Sequence, residues 1–204
     1  LMGSSPEAQL IVRNNKAVMH PIAGTFKRTG NDEEDKALSA KLLEDAKENA
    51  EHVMLVDLAR NDLSRSCTAV TVSQFKQVKF YSHVIHLVSE VVGTLGKDAN
   101  PFSVLAQTFP AGTLSGAPKF KALEIIDGLE STARGYYGGA IGFVGFNGDF
   151  NHAIMIRSFL SKDNTLYYQA GAGVVVSSNP ESELQEVNNK LNALKQAVVL
   201  AAGI

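Results

Sequence analysis

The sequence predicts an α+β fold in which helices pack on antiparallel β-sheets. Short apolar segments with alternating character are separated by turn-forming pairs, helical spacing recurs between them, and several strands follow one another through turns rather than through helices. Such strand succession is typical of antiparallel sheets, because parallel strands need a long crossover. At 204 residues the chain can bury a substantial core, roughly 70% of its unfolded surface.

The first predicted elements are a hairpin and a long helix. The hairpin covers Gln9 to Val18, and the turn-forming pair Asn14-Asn15 lies at its centre. The helix begins at Asn31 or Asp32, either of which can cap it, and apolar residues at helical spacing predict one continuous element to about Leu58.

The middle of the chain predicts two strands and two helices. The strands lie between Val70 and Val92, a segment rich in β-branched and aromatic residues. A short helix starts at Asn100-Pro101 and reaches Gln107, a loop rich in Gly and Pro covers Phe109 to Pro118, and a helix follows from Lys119 to Leu129.

The last third predicts an antiparallel meander followed by a helix. Turn signals separate three strand-like runs: Gly138 to Phe146, His152 to Leu160, and Leu166 to Val176. Pro180 occupies the first turn of the final helix, whose apolar residues recur on one face.

Composition excludes several classes of protein. The net charge is −2 and basic residues form no stripe, so we expect neither a nucleic-acid partner nor an anionic membrane. No apolar run is long enough for a membrane span and no leader is evident, which predicts a soluble, cytoplasmic protein. Cys67 is the single cysteine, so an internal disulfide and a cysteine-based zinc site are excluded, and we expect a structural cysteine.

Two pairs of glutamates are candidates for a metal site. Glu48 and Glu51 lie three residues apart on one predicted helix, as do Glu183 and Glu186 on another, so each pair can project from one helix face. Carboxylate oxygens suit a hard cation such as Mg²⁺. The spacing alone favours the alternative, a solvated helix surface, because glutamate is common on exposed helix faces.

Five longer motifs change that balance. They are PIAGT at 21–25, AEHVMLVDLARNDL at 50–63, GTLSGAPK at 112–119, RGYYGG at 134–139 and QAGAG at 169–173. Together and in this order they resemble the chorismate-binding enzyme family, which includes anthranilate, aminodeoxychorismate, isochorismate and salicylate synthases. The resemblance spans essentially the whole chain. It implies the α/β sandwich of chorismate-utilising enzymes, of which residues 1–204 would be an incomplete, carboxy-terminal part of the catalytic domain.

The resemblance also implies a site. Its metal ligands would be the four glutamates, holding Mg²⁺ against a carboxylate of chorismate. The catalytic residues would be His86, assisting departure of the C4 hydroxyl, and Thr113, with His83 as the alternative histidine. The implied substrate contacts are Thr25, Tyr137, Arg157, Gly171, Ala172 and Gly173. Arginine binds carboxylate through two N–H groups, and a glycine-flanked loop lets backbone amides approach an anion.

Ala23 bears on the choice of product. Bacterial aminodeoxychorismate synthases typically carry lysine at this point of the motif, and that amine can attack chorismate, which alanine cannot do. PIAGT instead resembles the anthranilate-forming members, in which ammonia from a glutamine amidotransferase subunit adds at C2 and pyruvate is eliminated, implying a hetero-oligomer. Three alternatives remain open: aminodeoxychorismate formation, isochorismate or salicylate formation, and a non-catalytic fragment or scaffold that keeps the fold.

Overall fold

The computed structural model describes residues 1–97, 99–176 and 178–203. It contains helices and antiparallel strand pairs in one chain, which confirms the α+β prediction. No helix among the described residues is both long enough and apolar enough to cross a membrane.

The elements follow the chain in this order. The strands are β1 (Met2–Gly3), β2 (Ala8–Arg13), β3 (Lys16–Met19), β4 (Ile22–Lys27), β5 (Cys67–Phe80), β6 (Val84–Leu95), β7 (Ala140–Val144), β8 (Phe150–Ile154), β9 (Ser158–Lys162) and β10 (Thr165–Tyr167). The helices are α1 (Asp32–Glu44), α2 (Ala46–Ser64), α3 (Pro101–Thr108), α4 (Lys119–Leu129) and α5 (Pro180–Ala201), with a 3₁₀ turn at Gly112–Leu114.

The chain divides into two compact units. Unit 1 comprises Leu1–Glu7, Thr113–Ile141 and the chain from Ala153 onward, and unit 2 comprises Ala8–Gly112 and Gly142–His152. The sequence analysis predicts that residues 1–204 form one part of a catalytic domain and that this domain is an α/β sandwich. Both statements concern the two units together, and both stay predictions.

Unit 2 is organised around the long strand β6. On one edge β6 pairs with β3 and β4, on the other it pairs with β5, and all three pairings are antiparallel. The seven-stranded sheet continues from β3 through β2 to β8 and β7. Asn14 and Asn15 form the β2–β3 turn with φ of 50° and 58°, the left-handed conformation that asparagine tolerates best among non-glycine residues, which confirms the predicted hairpin.

The helical region of unit 2 differs from the prediction. One helix to about Leu58 was expected, but Asp45 ends α1 and begins α2, which runs on to Ser64. The prediction is wrong because Asp45 is an effective cap: its carboxylate accepts a hydrogen bond from the Glu48 N–H at 2.9 Å, which favours a new helix start over continuation. The break places Glu48 in the first turn of α2.

The main core of unit 2 lies between α2, α3 and the sheet. Its fully buried members include Leu10, Leu63 and Val91, and Cys67 is buried with them, which agrees with a structural role. Burying such a side chain stabilises the fold by about 1.5–3 kcal/mol. A second cluster joins Leu42 of α1 to Ile85 and Leu87 of β6, none of which is exposed.

Unit 1 contains a three-stranded sheet in the order β1–β9–β10, together with α4 and α5. Both pairings in this sheet are antiparallel. Helix α5 starts as predicted at Pro180, and the side chain of Asn179 caps it by accepting a hydrogen bond from the Ser182 N–H at 3.0 Å.

The predicted three-stranded meander is wrong in two respects. The run from His152 to Leu160 is divided into β8 and β9, because Arg157 between them has a φ of 50°, outside the β region that a regular strand requires. The run from Leu166 to Val176 forms a strand only over the short β10, and the glycine-flanked segment after Tyr167 is loop. The strands therefore belong to two sheets.

Candidate active site

His86 of unit 2 is held by strand β4. Its Nδ1 lies 2.8 Å from the carbonyl oxygen of Gly24 and 3.2 Å from the hydroxyl oxygen of Thr25. The Tyr81 ring meets the imidazole edge-on, with ring centroids 5.6 Å apart. Two predicted site residues, Thr25 and His86, are thus in direct contact. The alternative, His83, lies in the exposed turn before β6 and contacts Ser82.

The four predicted metal ligands lie on helices, as expected from their spacing. Glu48 and Glu51 are half-buried on α2 in unit 2, whereas Glu183 is buried and Glu186 half-buried on α5 in unit 1. A wholly solvated helix surface, the alternative that spacing favoured, does not describe these side chains. Within either unit, the described residues offer no group of three His, Cys, Asp or Glu side chains arranged for a metal ion. The metal site stays a prediction.

Thr113 of unit 1 contacts a carboxylic acid that the sequence analysis did not select. Its hydroxyl donates a hydrogen bond to Glu7 Oε1 at 2.9 Å. Burial raises the pKa of Glu7, although the bond from Thr113 and the charges of Arg157 and Lys190 act in the opposite direction. Desolvation disfavours the carboxylate, so Glu7 is a candidate proton donor beside two cations.

The glycine-flanked loop at 171–173 is anchored by two side chains of unit 1. Lys190 on α5 donates a hydrogen bond to the Gly171 carbonyl oxygen at 2.9 Å and pairs with Glu186 at 2.5 Å. The buried Tyr137 lies beside Gly171, since a Cβ there would be 3.5 Å from the tyrosine hydroxyl. Burial raises the pKa of Tyr137, so the phenol stays a neutral donor. Ala172 is half-buried and Gly173 exposed.

Arg157 is half-buried between β8 and β9 in the left-handed conformation. This conformation costs a non-glycine residue about 1–2 kcal/mol, and strain of this kind is concentrated at functional positions. Its positive charge partly offsets the rise that burial causes in the pKa of Glu7 and of Tyr137, so the guanidinium lies within electrostatic reach of each. Unit 1 therefore contains a cluster of interacting polar side chains, namely Arg157, Glu7 and Tyr137.

Two other histidines of unit 2 are buried and have structural contacts. His52 Nε2 lies 2.6 Å from the Ser89 hydroxyl, and His152 Nε2 lies 3.1 Å from Gln9 Oε1. Burial lowers the pKa of each to about 4, so both are neutral at physiological pH. Near the end of α2, Asp57 pairs with Arg60 at 3.2 Å and accepts a hydrogen bond from the Asn61 amide at 3.3 Å, so these side chains form a polar network on the helix surface.

Sequence reasoning missed Glu7, Lys190 and the backbone of Gly24. Lys190 follows Glu186 by one helical turn on the same face of α5, so a search for cations near the predicted glutamates could have found it. Glu7 lies 106 residues from Thr113, and no local pattern relates residues at that separation. Gly24 lies within the PIAGT motif, but its contribution is a carbonyl group that every residue possesses.

Comparison with known proteins identifies the family. A sequence profile of chorismate binding enzymes matches residues 1–196. This chain belongs to the chorismate-binding enzyme family.

Individual relatives agree with this assignment. Anthranilate synthase component 1 of Arthrobacter globiformis is 50% identical over 206 aligned residues, covering 100% of this chain and 39% of the relative. The crystal structure of anthranilate synthase component I from Streptococcus pneumoniae TIGR4 has a TM-score of 0.84 and 45% identity over 92% of this chain and 42% of that one. MenF, the menaquinone-specific isochorismate synthase of Escherichia coli, has a TM-score of 0.85 at 27% identity, covering 95% and 44%. The chain thus spans about two fifths of its relatives' lengths.

Proposed function

We propose that the protein is an anthranilate synthase component I, which converts chorismate and ammonia to anthranilate, pyruvate and water. The observation that carries the proposal is the environment of Glu7 in unit 1. Burial raises the pKa of Glu7, its carboxyl group accepts a hydrogen bond from Thr113, and the cations Arg157 and Lys190 lie near it. Chorismate is a dicarboxylate with a hydroxyl leaving group, so it needs cations for binding and an acid for departure of the hydroxyl. The identity to anthranilate synthase components 1 supports the same reaction.

Each unit offers one group suited to a proton transfer. In the first step ammonia forms a bond to C2 and loses one proton, both ring double bonds shift, and the C4–O bond breaks, with the protonated form of Glu7 giving its proton to the hydroxyl, which leaves as water. In the second step the C2 proton is lost and the C3–O bond breaks, releasing enolpyruvate, which gains a proton to become pyruvate. His86 directs Nδ1 at a carbonyl oxygen, so its Nε2 has a lone pair and suits acceptance of that proton. The role at the C4 hydroxyl that the family resemblance implies for His86 stays a prediction beside this proposal.

The four predicted metal ligands have the type of donor atom that Mg²⁺ prefers. Glu48, Glu51, Glu183 and Glu186 supply hard carboxylate oxygens, and none of the four is fully exposed. When bound, Mg²⁺ would offset the negative charge of a substrate carboxylate. Lys190 pairs with Glu186 and contributes a further positive charge.

Ala23 supports ammonia as the nucleophile. The residue is buried at 8% exposure in β4, next to Gly24 and Thr25, and its methyl group offers no amine to chorismate. We propose that ammonia is supplied by a glutamine amidotransferase subunit, that the assembly is a hetero-oligomer, and that it is cytoplasmic.

A second candidate is isochorismate formation, in which water replaces ammonia. The structural similarity to MenF, which is an isochorismate synthase, is the reason to test for isochorismate as a product. In that reaction the enolpyruvyl group would remain on the ring, so the two candidates differ in whether pyruvate is released.

One experiment separates these candidates. The protein is incubated with chorismate and Mg²⁺, with and without ammonium, and products are separated by chromatography with fluorescence detection. We expect ammonium-dependent anthranilate and an equal amount of pyruvate. Isochorismate or aminodeoxychorismate as the sole product would refute the proposal. Calorimetry with chorismate and Mg²⁺ tests the alternative of a non-catalytic scaffold. Binding of either at millimolar concentration would contradict that alternative.

A further inference from the structure

We infer that Gly24 is a positioning residue: its left-handed conformation directs a backbone carbonyl at His86, holds the imidazole as the Nδ1–H tautomer, and keeps open the space beside the Glu48 carboxylate. The inference concerns unit 2 alone. Its consequence for turnover rests on the proposed function, whereas the tautomer and the packing do not.

The tautomer follows from the type of acceptor. The Gly24 carbonyl oxygen lies 2.8 Å from Nδ1 of His86, and a carbonyl oxygen can only accept, so Nδ1 carries the hydrogen. A neutral imidazole has one N–H, which leaves the lone pair on Nε2. The Thr25 hydroxyl oxygen, 3.2 Å from the same Nδ1, also accepts from it, so its own hydrogen can be donated to a bound anion.

The carbonyl reaches Nδ1 because β4 is irregular at this point. The register of β4 against β6 shifts between Ala23 and Thr25, and Gly24 between them has a φ of 69°. This conformation favours glycine, since a side chain would crowd the following carbonyl. The shift directs the Gly24 carbonyl at the histidine that pairs with Thr25 across the two strands.

A side chain at position 24 would also meet two neighbours. An added Cβ would lie 2.7 Å from Cδ1 of Leu42 and 3.3 Å from Oε2 of Glu48. Leu42 has 0% exposure and packs against Ile85, so it cannot move away without disturbing the core. Even alanine would therefore displace the β4 backbone or α1, and with it the hydrogen bond to His86 and the space beside Glu48.

Nitrogen NMR of the protein labelled with ¹⁵N-histidine tests the inference directly. Spectra are recorded at pH 8, and the His86 signals are assigned by comparison with His86→Gln. We expect the wild-type protein to have the proton on Nδ1 and Thr25→Val to retain it, because the Gly24 carbonyl remains. Gly24→Ala should give a mixture of tautomers. A wild-type proton on Nε2, or an unchanged tautomer in Gly24→Ala, would overturn the inference.

Gly30→Ala is the matched control. Gly30 has a φ of 88°, but an added Cβ there meets no atom within 4 Å, so this variant introduces backbone strain without the contacts. It should keep the wild-type tautomer. If Gly24→Ala does not fold, the double variant with Leu42→Ala removes the 2.7 Å contact, and its His86 tautomer gives the same decision.

Turnover provides a separate readout. Gly24→Ala should lower kcat at least 10-fold and leave KM within about threefold, because a misaligned imidazole affects proton transfer more than binding. A protein with the expected tautomer but no anthranilate formation would refute the proposed function and leave the role of Gly24 standing. Wild-type kcat in a Gly24→Ala protein of altered tautomer would show that the orientation of His86 does not limit turnover.

Discussion

The two units prepare polar groups in different ways. In unit 2, a backbone carbonyl of the paired strand orients His86, and the left-handed conformation of Gly24 directs that carbonyl. In unit 1, Glu7 is surrounded by Thr113, Arg157 and Lys190, and the preparation is electrostatic: burial raises the carboxyl pKa while neighbouring charges limit the rise. Substitution should therefore disturb orientation in unit 2 and protonation state or anion binding in unit 1. Four predictions test this difference, from the largest expected effect to the smallest.

Replacing Glu7 should have the largest effect. Glu7→Gln keeps the side-chain size but removes the transferable proton, and we expect kcat to fall by about 10³-fold, within the usual range for general acid catalysis. Steady-state rates of anthranilate formation measure this. Glu124→Gln is the control, because Glu124 is an exposed α4 residue of the same unit that pairs with Lys121 at 2.9 Å. Equal rates in the two variants would show that Glu7 takes no part in the reaction.

Replacing His86 should have the next largest effect. His86→Gln removes the Nε2 lone pair, and kcat should fall by about 10²-fold with a smaller change in KM. His83→Gln, in the exposed turn before β6, should remain within about twofold of wild type. A larger loss from His83→Gln than from His86→Gln would show that the family resemblance identified the wrong histidine.

Acidification should affect the units in opposite directions. His52 and His152 have a folded pKa of about 4, below the unfolded value near 6.5, so the unfolded chain binds more protons between these values and unit 2 loses stability as pH falls. We expect a loss of about 1–2 kcal/mol for each histidine between pH 7 and pH 5. The pKa of Glu7 is raised above its unfolded value, so the folded chain binds more protons between these two values and the contribution of Glu7 to unit 1 increases as pH falls through the raised pKa.

Hydrogen exchange followed by mass spectrometry at both pH values resolves these responses. After correction for the intrinsic exchange rate, protection should fall in β6 and α2, and should be retained or increase in β1 and β9. Uniform loss of protection would mean that the two units unfold together. His152→Gln should reduce the pH dependence in unit 2.

Replacing Lys190 should have the smallest of the four effects. Lys190→Met removes both the hydrogen bond to Gly171 and the pairing with Glu186, and chorismate binding should weaken about three- to tenfold by calorimetry. Lys195→Met, an exposed position of the same helix, controls for the loss of a positive charge on α5. Equal weakening in both variants would indicate a general charge effect.

The sequence predicted the fold where local signals decide the structure. The Asn14-Asn15 hairpin and the start of α5 at Pro180 were predicted from turn and cap chemistry. The break at Asp45 was missed because the apolar spacing continues across it, although aspartate is itself a cap residue. The interruption at Arg157 has no local signal, since arginine is not a residue that favours a positive φ.

The candidate site was predicted through motifs and not through spacing. The contact of Thr25 with His86 joins residues of two strands that pair in register, so correct pairing would have predicted it. The contact of Thr113 with Glu7 depends on long-range packing, and the pKa of Glu7 depends on burial, which no residue pattern encodes. The metal role of the four glutamates and the substrate contacts stay predictions.

The single cysteine offers a way to follow unit 2 without any substitution. Cys67 has 9% exposure at the start of β5, its Cβ lies 2.6 Å from where a Cβ on Gly93 would be, and burial raises the pKa of its thiol. A thiol reagent can therefore react with it only after β5 separates from β6. The labelling rate of the unmodified protein reports how often this core opens, and ligands that bind unit 2 in its closed form should slow it.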